Sequence, residues 1–331
     1  MLLQNMKKVT EFARKLAANL QGGLSFSKSQ SPLFFENTSG ADISDRFVSL
    51  FAIKDKDRFN DAFKIAADGL GKERGKINSV ASSALLPLLV FHPLFSRTGN
   101  DSRPSITIGD KEYDRAFFEV RNRVVRRASC VDIVLQSVDK KTLLFLESKL
   151  TEYIGGTTRK ATYGKGYIPL YSDYRIQAAL NEGNIEASKT DRGVVLSAQD
   201  KTYIEGIKQS VSHLIGIVKG PAEVKSDINY PLWYQSEYRS AYSDATEFIY
   251  GTIIYNPCSV GVGMEEYDAY MDLYKRIFSN SPEIMAAIHE YCGTNCKPLT
   301  VLDTPLTYQE ILSDNKTFIN DLSAVKNFYY F

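Results

Sequence analysis

The most constraining feature of this chain is a pair of apolar, β-forming runs joined by a short polar link. The runs are Cys130-Val131-Asp132-Ile133-Val134-Leu135-Gln136 and Thr142-Leu143-Leu144-Phe145-Leu146-Glu147-Ser148-Lys149. Both favour extended backbone, and Ser137 to Lys141 supplies the turn, so together they read as an antiparallel hairpin. Leu143 to Leu146 show no alternation with polar residues, which marks the second strand as buried on both faces. Charge at the end of such a strand is costly unless it is paired or put to use.

Register decides what those charges can do. A two-residue turn at Asp139-Lys140 pairs Val138 with Lys141 and, continued along the hairpin, sets Asp132 opposite Glu147. Directly opposed side chains have Cβ atoms about 4.5–5.5 Å apart, and like charges there are destabilising. A bound divalent cation removes that penalty. Mg²⁺ takes oxygen ligands, commonly one or two carboxylates with water and phosphate completing the shell. Lys149 lies two residues beyond Glu147 and so shares its face. Two carboxylates and an ammonium on one surface suit metal-assisted phosphodiester hydrolysis. The plainer alternative is a solvated Glu–Lys pair, which the apolar character of the strand disfavours.

Charge is distributed unevenly. The 331 residues carry 40 Lys and Arg against 39 Asp and Glu, so net charge alone points to no polyanion. Yet Arg121 to Arg175 holds eleven basic and five acidic residues, a local charge of +6, and the remainder of the chain is at −5. A concentrated basic stretch is the electrostatic footprint of a nucleic acid or, equally, a solvated surface. Pro231 to Phe331 has 13 acids and 6 bases and is not expected to be the main phosphate grip. With 44% hydrophobic and 12% aromatic residues the composition excludes a disordered or fibrous chain. The apolar run from Ala84 to Phe95 is too short to span a bilayer. Four cysteines suggest no disulfide framework, so a cytoplasmic location is expected.

Around the hairpin, periodicity predicts helices over 6–20, 57–69, 77–90 (capped by Asn78 or Ser79) and 202–218. Strands are expected at 106–108, 117–125 and 247–255, with loops at 24–46 and from Thr151 to about Asp173, and a mostly helical 261–331.

Asp132 followed by Glu147-Ser148-Lys149 resembles the D…ExK signature of the PD-(D/E)xK, or restriction-endonuclease-like, nuclease superfamily; Val131 stands where that pattern often has Pro. The likeness is strongest from Tyr113 to Glu152 and extends to Tyr255. More narrowly it resembles bacterial restriction-endonuclease-type proteins. These carry, in order, a Phe-Glu pair, an Arg-containing turn, the Asp strand and a Glu-Ser-Lys-x-Thr-Glu strand. Here these are Phe118-Glu119, Arg126-Arg127, Asp132 and Glu147 to Glu152. The resemblance implies an α/β core in which a mixed β-sheet is flanked by helices. The expected organisation is an N-terminal helical extension over 1–70, a nuclease core over 71–260 and a helical C-terminal extension over 261–331. It further implies a DNA endonuclease, possible as a homodimer, with Mg²⁺ or Mn²⁺ held by Asp132 and Glu147 and with Lys149 positioning water. A non-catalytic nucleic-acid-binding module on the same fold is the alternative.

Other residues are weighed individually. Glu119 is either a third acid of the site or a strand Glu paired with an Arg. Glu152 reads as a cap after the strand. Gln209 lies where relatives place a site Gln in a QxxxY pattern, although His213 stands in place of the Tyr. Gln209, His213, Gly206 and Gly216 share a helix face that meets either solvent or a close backbone. Arg126 and Arg127, with Arg159, Lys160 and Lys165 of the loop 157–167, are the expected phosphate contacts. His289, Cys292 and Cys296 do not have metal-site spacing, and His92 reads as a core histidine.

Overall fold

The computed structural model describes residues 2–18, 43–70, 77, 79, 81–96, 103–124, 128–223, 231–293, 297–319 and 322–329. Four strands, β1 (Ile106–Ile108), β2 (Lys111–Arg123), β3 (Ala128–Ser137) and β4 (Thr142–Lys149), run as an antiparallel meander. The chain then leaves to build a second, three-stranded antiparallel sheet from β5 (Thr158–Gly164), β6 (Ile185–Thr190) and β7 (Gly193–Thr202), with β7 central. It returns as β8 (Glu247–Ile254), parallel to β4, and the short β9 (Leu299–Val301) and β10 (Leu306–Thr307) pair parallel with β8. The seven-stranded sheet is thus mixed and flanked by helices: an α/β architecture.

β4 lies between β3 and β8, and all eight of its residues are buried. Helix Ile204–Lys219 packs on β2 and β3. Its approach is close at Gly216, where an added Cβ would lie 3.0 Å from the Asn122 Cβ and 3.1 Å from the Ser129 Cβ. The shared face of Gly206 and Gly216 therefore meets side chains, the Tyr203 and Tyr270 rings at Gly206 and Asn122 and Ser129 at Gly216, and is not solvated. Beyond the opposite face of β4, Ser148 Oγ lies 2.8 Å from the Tyr308 hydroxyl, whose ring packs on Phe91 of the buried helix Leu85–Phe91. The terminal segments join the same hydrophobic core: Phe12 meets Tyr255 at 5.7 Å and Phe51 meets Phe328 at 5.4 Å between ring centroids.

Several elements differ from the sequence expectation. The buried helix expected over 77–90 is helical only over Leu85–Phe91. Ser79 Oγ accepts from the Ala81 N–H and Ser82 Oγ from the Leu85 N–H, bonds that hold the preceding residues in turns; Asn78 lies outside the described residues. A helix, Ile43–Leu50, begins inside the stretch read as loop. The Gly/Tyr/Lys-rich stretch from Thr151 to Asp173 is not a loop but contains β5 and three short helical turns. Only Ala161 and Tyr163 of β5 are buried, too few anchors to declare a strand period. The C-terminal stretch is mostly helical as expected, and it also donates β9 and β10 to the large sheet.

Candidate active site

The hairpin has the expected register, reached through a different turn. The ladder pairs Ile133 with Leu146, Val134 with Phe145, Leu135 with Leu144 and Gln136 with Leu143. The turn is wider than two residues: Lys140 N–H donates to the Ser137 carbonyl, Lys140 takes φ +63°, and Ser137 Oγ accepts from the Thr142 N–H. Carried one step further, the register brings Asp132 level with Glu147. There the regular ladder ends, because the Asp132 carboxylate itself accepts the Ser148 N–H at 2.7 Å.

The same level extends to a third acid. β2 pairs Phe118 with Ile133 and Val120 with Val131, so Glu119 stands level with Asp132. Glu119 has φ +51°, a left-handed conformation uncommon for a residue with a side chain. It is buried, with its Oε2 accepting from Cys130 Sγ at 3.1 Å. Glu119, Asp132 and Glu147 all line one cavity of about 470 Å³, together with Ser129, Cys130, Lys208, Gln209 and His213.

The acids are not equivalent. Lys149 Nζ donates to Glu147 Oε1 at 2.7 Å and to Gln209 Oε1 at 2.9 Å. His213 Nε2 lies 3.0 Å from Glu147 Oε2, and His213 Nδ1 lies 2.5 Å from Ser129 Oγ. Burial alone would raise the Glu147 carboxyl; Lys149 and then His213 outweigh it and bring it down to about 2. Burial works against the Lys149 ammonium too, but Glu147 outweighs it and keeps Lys149 charged, above its usual range. Asp132 lacks such compensation. Burial first, then Glu147 and Glu119, push its carboxyl well above the ordinary range, opposed by Lys149 and the Ser148 N–H. Burial, followed by Glu119, likewise raises the Cys130 thiol.

This arrangement bears on a cation. Among the described residues no three His, Cys, Asp or Glu side chains form a group that encloses a metal ion. A hard divalent ion held by one or two carboxylates needs no such cage, since water and phosphate supply its other ligands. Asp132 and Glu147 fit that role: Asp132, with one N–H donor and two other acids beside it, carries the charge that the protein leaves least compensated, and Glu147 stands level with it on the neighbouring strand.

The remaining expectations separate. Gln209, expected from its place on the helix, lines the acid cavity and accepts from Lys149, and His213, one turn further on, touches Glu147 directly. Glu152 caps the strand end, its Oε2 accepting the Leu150 and Thr151 N–H groups at 2.9 and 3.0 Å. His92 is a core histidine: Nδ1 lies 3.1 Å from the Leu89 carbonyl, and burial lowers it to about 4. Arg159, Lys160 and Lys165 are exposed on β5 and the turn after it, and none lines the acid cavity. Arg126, Arg127 and Cys296 lie outside the described residues. Ser129 and Lys208 were not anticipated. Lys208 directly precedes Gln209 on the helix, which is a usable signal; Ser129 offers none in sequence.

Compared with known proteins, the chain matches no family model, no curated protein and no solved structure. Among the described residues no helix is long and apolar enough to cross a membrane.

Proposed function

We propose that this protein is a metal-dependent nuclease that hydrolyses phosphodiester bonds of DNA, built on a restriction-endonuclease-like core. One observation carries the reading: three carboxylates, Glu119, Asp132 and Glu147, stand level across β2, β3 and β4 with the Lys149 ammonium bonded to the last of them. The D…ExK resemblance of the same residues supports it.

Mg²⁺ or Mn²⁺ at Asp132 and Glu147 would neutralise the phosphate and polarise its oxygens. The protein's own groups do the positioning. The Ser148 N–H orients Asp132, His213 and Lys149 fix the two oxygens of Glu147, and the Gln209 carbonyl oxygen holds Lys149 against it. Lys149 is thereby a fixed positive charge in a water-poor site, where it counts for more towards a developing anion than it would in bulk water.

The test is cleavage of supercoiled plasmid by the full chain in Mg²⁺ or Mn²⁺, beside Lys149→Ala and Asp132→Ala. Nicking that requires the metal and both residues supports the reading; nicking that survives both substitutions overturns it. The close engagement of Glu147 by Lys149 and His213 favours one alternative, a DNA-binding module without catalysis. Salt-sensitive binding with no cleavage in either metal selects it.

A further inference from the structure

We propose that the cavity bounded by Arg123, Lys219, Arg239 and Lys297 is a phosphate site, filled by the backbone of a DNA strand leaving the acid cavity; this rests on the nuclease reading and names where that substrate is gripped. The cavity has a volume of about 470 Å³, and Glu223 is the one acid in its lining. Its four cations are oriented by neutral groups. Arg123 donates to the Lys219 carbonyl at 2.7 Å, Arg239 to the Ala222 carbonyl at 2.8 Å, and Lys297 to the carbonyls of Tyr242, Ser243 and Ala245. The Lys219 ammonium lies 5.4 Å from the centre of the Tyr291 ring. Carbonyls and rings aim a cation without neutralising it.

Several cations elsewhere are paired with acids: Lys111 with Glu247, Arg175 with Asp173 and Glu290, Arg276 with Asp272. None of the four around this cavity has a carboxylate at ion-pair distance among the described residues, so each keeps its charge for a ligand. Arg123 and Arg239 retain most of their five N–H donors, the geometry suited to phosphate oxygens. Lys297 directs its bonds to carbonyls and contributes charge alone.

Position ties the cavity to the site. Helix Ile204–Lys219 lines the acid cavity with Glu205, Lys208, Gln209, Ser212 and His213, and the basic cavity with its last residues, Val218 and Lys219. Arg123 lines the basic cavity and its neighbour Val124 the acid one. Four residue steps along β2 lead from Glu119 to Arg123, about 13 Å of strand. That spans roughly four backbone steps of a DNA strand at about 3.4 Å of axis each. The grip draws Arg239 and Lys297 from the acidic C-terminal region, which net charge had set aside.

The experiment measures binding of a fluorescent DNA duplex to the full chain in EDTA across a salt series. Arg123→Ala/Arg239→Ala is compared with wild type and with Arg276→Ala, a paired surface cation. The double variant is expected to bind at least tenfold more weakly at 0.1 M salt. Its log–log salt slope should be shallower by about 2, one for each phosphate that the protein no longer neutralises. Arg276→Ala should match wild type, and Arg123→Lys/Arg239→Lys should recover most of the slope. An unchanged affinity and slope in a folded double variant overturns the proposal. So does calorimetric binding of pyrophosphate that the double variant loses while its duplex affinity stays intact, since that would mark a site for small phosphate compounds. A wild type that cuts no DNA in Mg²⁺ or Mn²⁺, yet whose EDTA-state binding responds as described, overturns the catalytic reading and retains this one.

Discussion

The end of β4 and the outer face of β5 both carry charge, under opposite conditions. On β4, Glu147 and Lys149 are 5% and 2% exposed, and each lies within hydrogen-bond distance of two polar partners, among them the other. On β5, Arg159 and Lys160 face solvent and have no ion pair among the described residues. Water solvates the second pair at little cost, whereas the first pair must be solvated by the protein itself. Charge on β4 is therefore part of what holds the fold, and charge on β5 is free to answer to a ligand. Asp132 lies between these cases: half-buried, given one N–H donor, and crowded by two other acids.

The largest effect follows from breaking the buried pair. Lys149→Ala leaves Glu147 with His213 alone and should cost about 3–5 kcal/mol in denaturant unfolding, whereas Lys149→Met with Glu147→Leu should recover most of that loss. Next comes the contact that brings the helix to the acid level. Gly216→Leu drives a side chain into Asn122 and Ser129 and should cost roughly 1–3 kcal/mol in the same measurement, with Gln209 and His213 displaced.

Asp132→Asn should act in the opposite direction. A carboxyl whose folded pKa is raised destabilises the fold increasingly as pH climbs from its unfolded value, about 3.9, through the folded one. The substitution should therefore stabilise the protein at pH 8, by roughly 1–3 kcal/mol, and lose its effect near pH 4. Glu147 has the reverse sign: at about 2, its stabilisation is present above its unfolded pKa and is lost only as pH falls through 2. Melting curves across pH separate the two. The smallest effect belongs to β5. Arg159→Ala with Lys160→Ala should change stability by less than about 0.5 kcal/mol, so any loss of DNA affinity reports on binding alone.

The same contrast explains what could be read from sequence. β3 and β4 were legible because long apolar runs leave one register that buries them, and residue order alone then aligns Asp132 with Glu147. The helix over 204–219 showed itself through its apolar stripe, and with it Gln209. β5, with two buried side chains, and β9 and β10, three and two residues long, give almost no periodic signal. Glu119 was visible as an acid, but its level with Asp132 depends on the β2–β3 register and on a positive φ that sequence does not declare. The contact of His213 with Glu147 depends on how closely Gly216 lets the helix approach, a distance that no pattern of residues states. The cations of the second cavity converge from four separate segments, and averaging charge along the chain hides them.

The central claim is that the acids level across β2, β3 and β4 form a site that a divalent cation completes. Its most direct test is the thermal melting of wild type and Asp132→Asn at pH 8, each with EDTA and with Mn²⁺. In EDTA the variant should melt above wild type; Mn²⁺ should raise the wild-type midpoint by several degrees and leave the variant nearly unmoved. A variant that melts below wild type in EDTA, or equal Mn²⁺ shifts in both proteins, would contradict it.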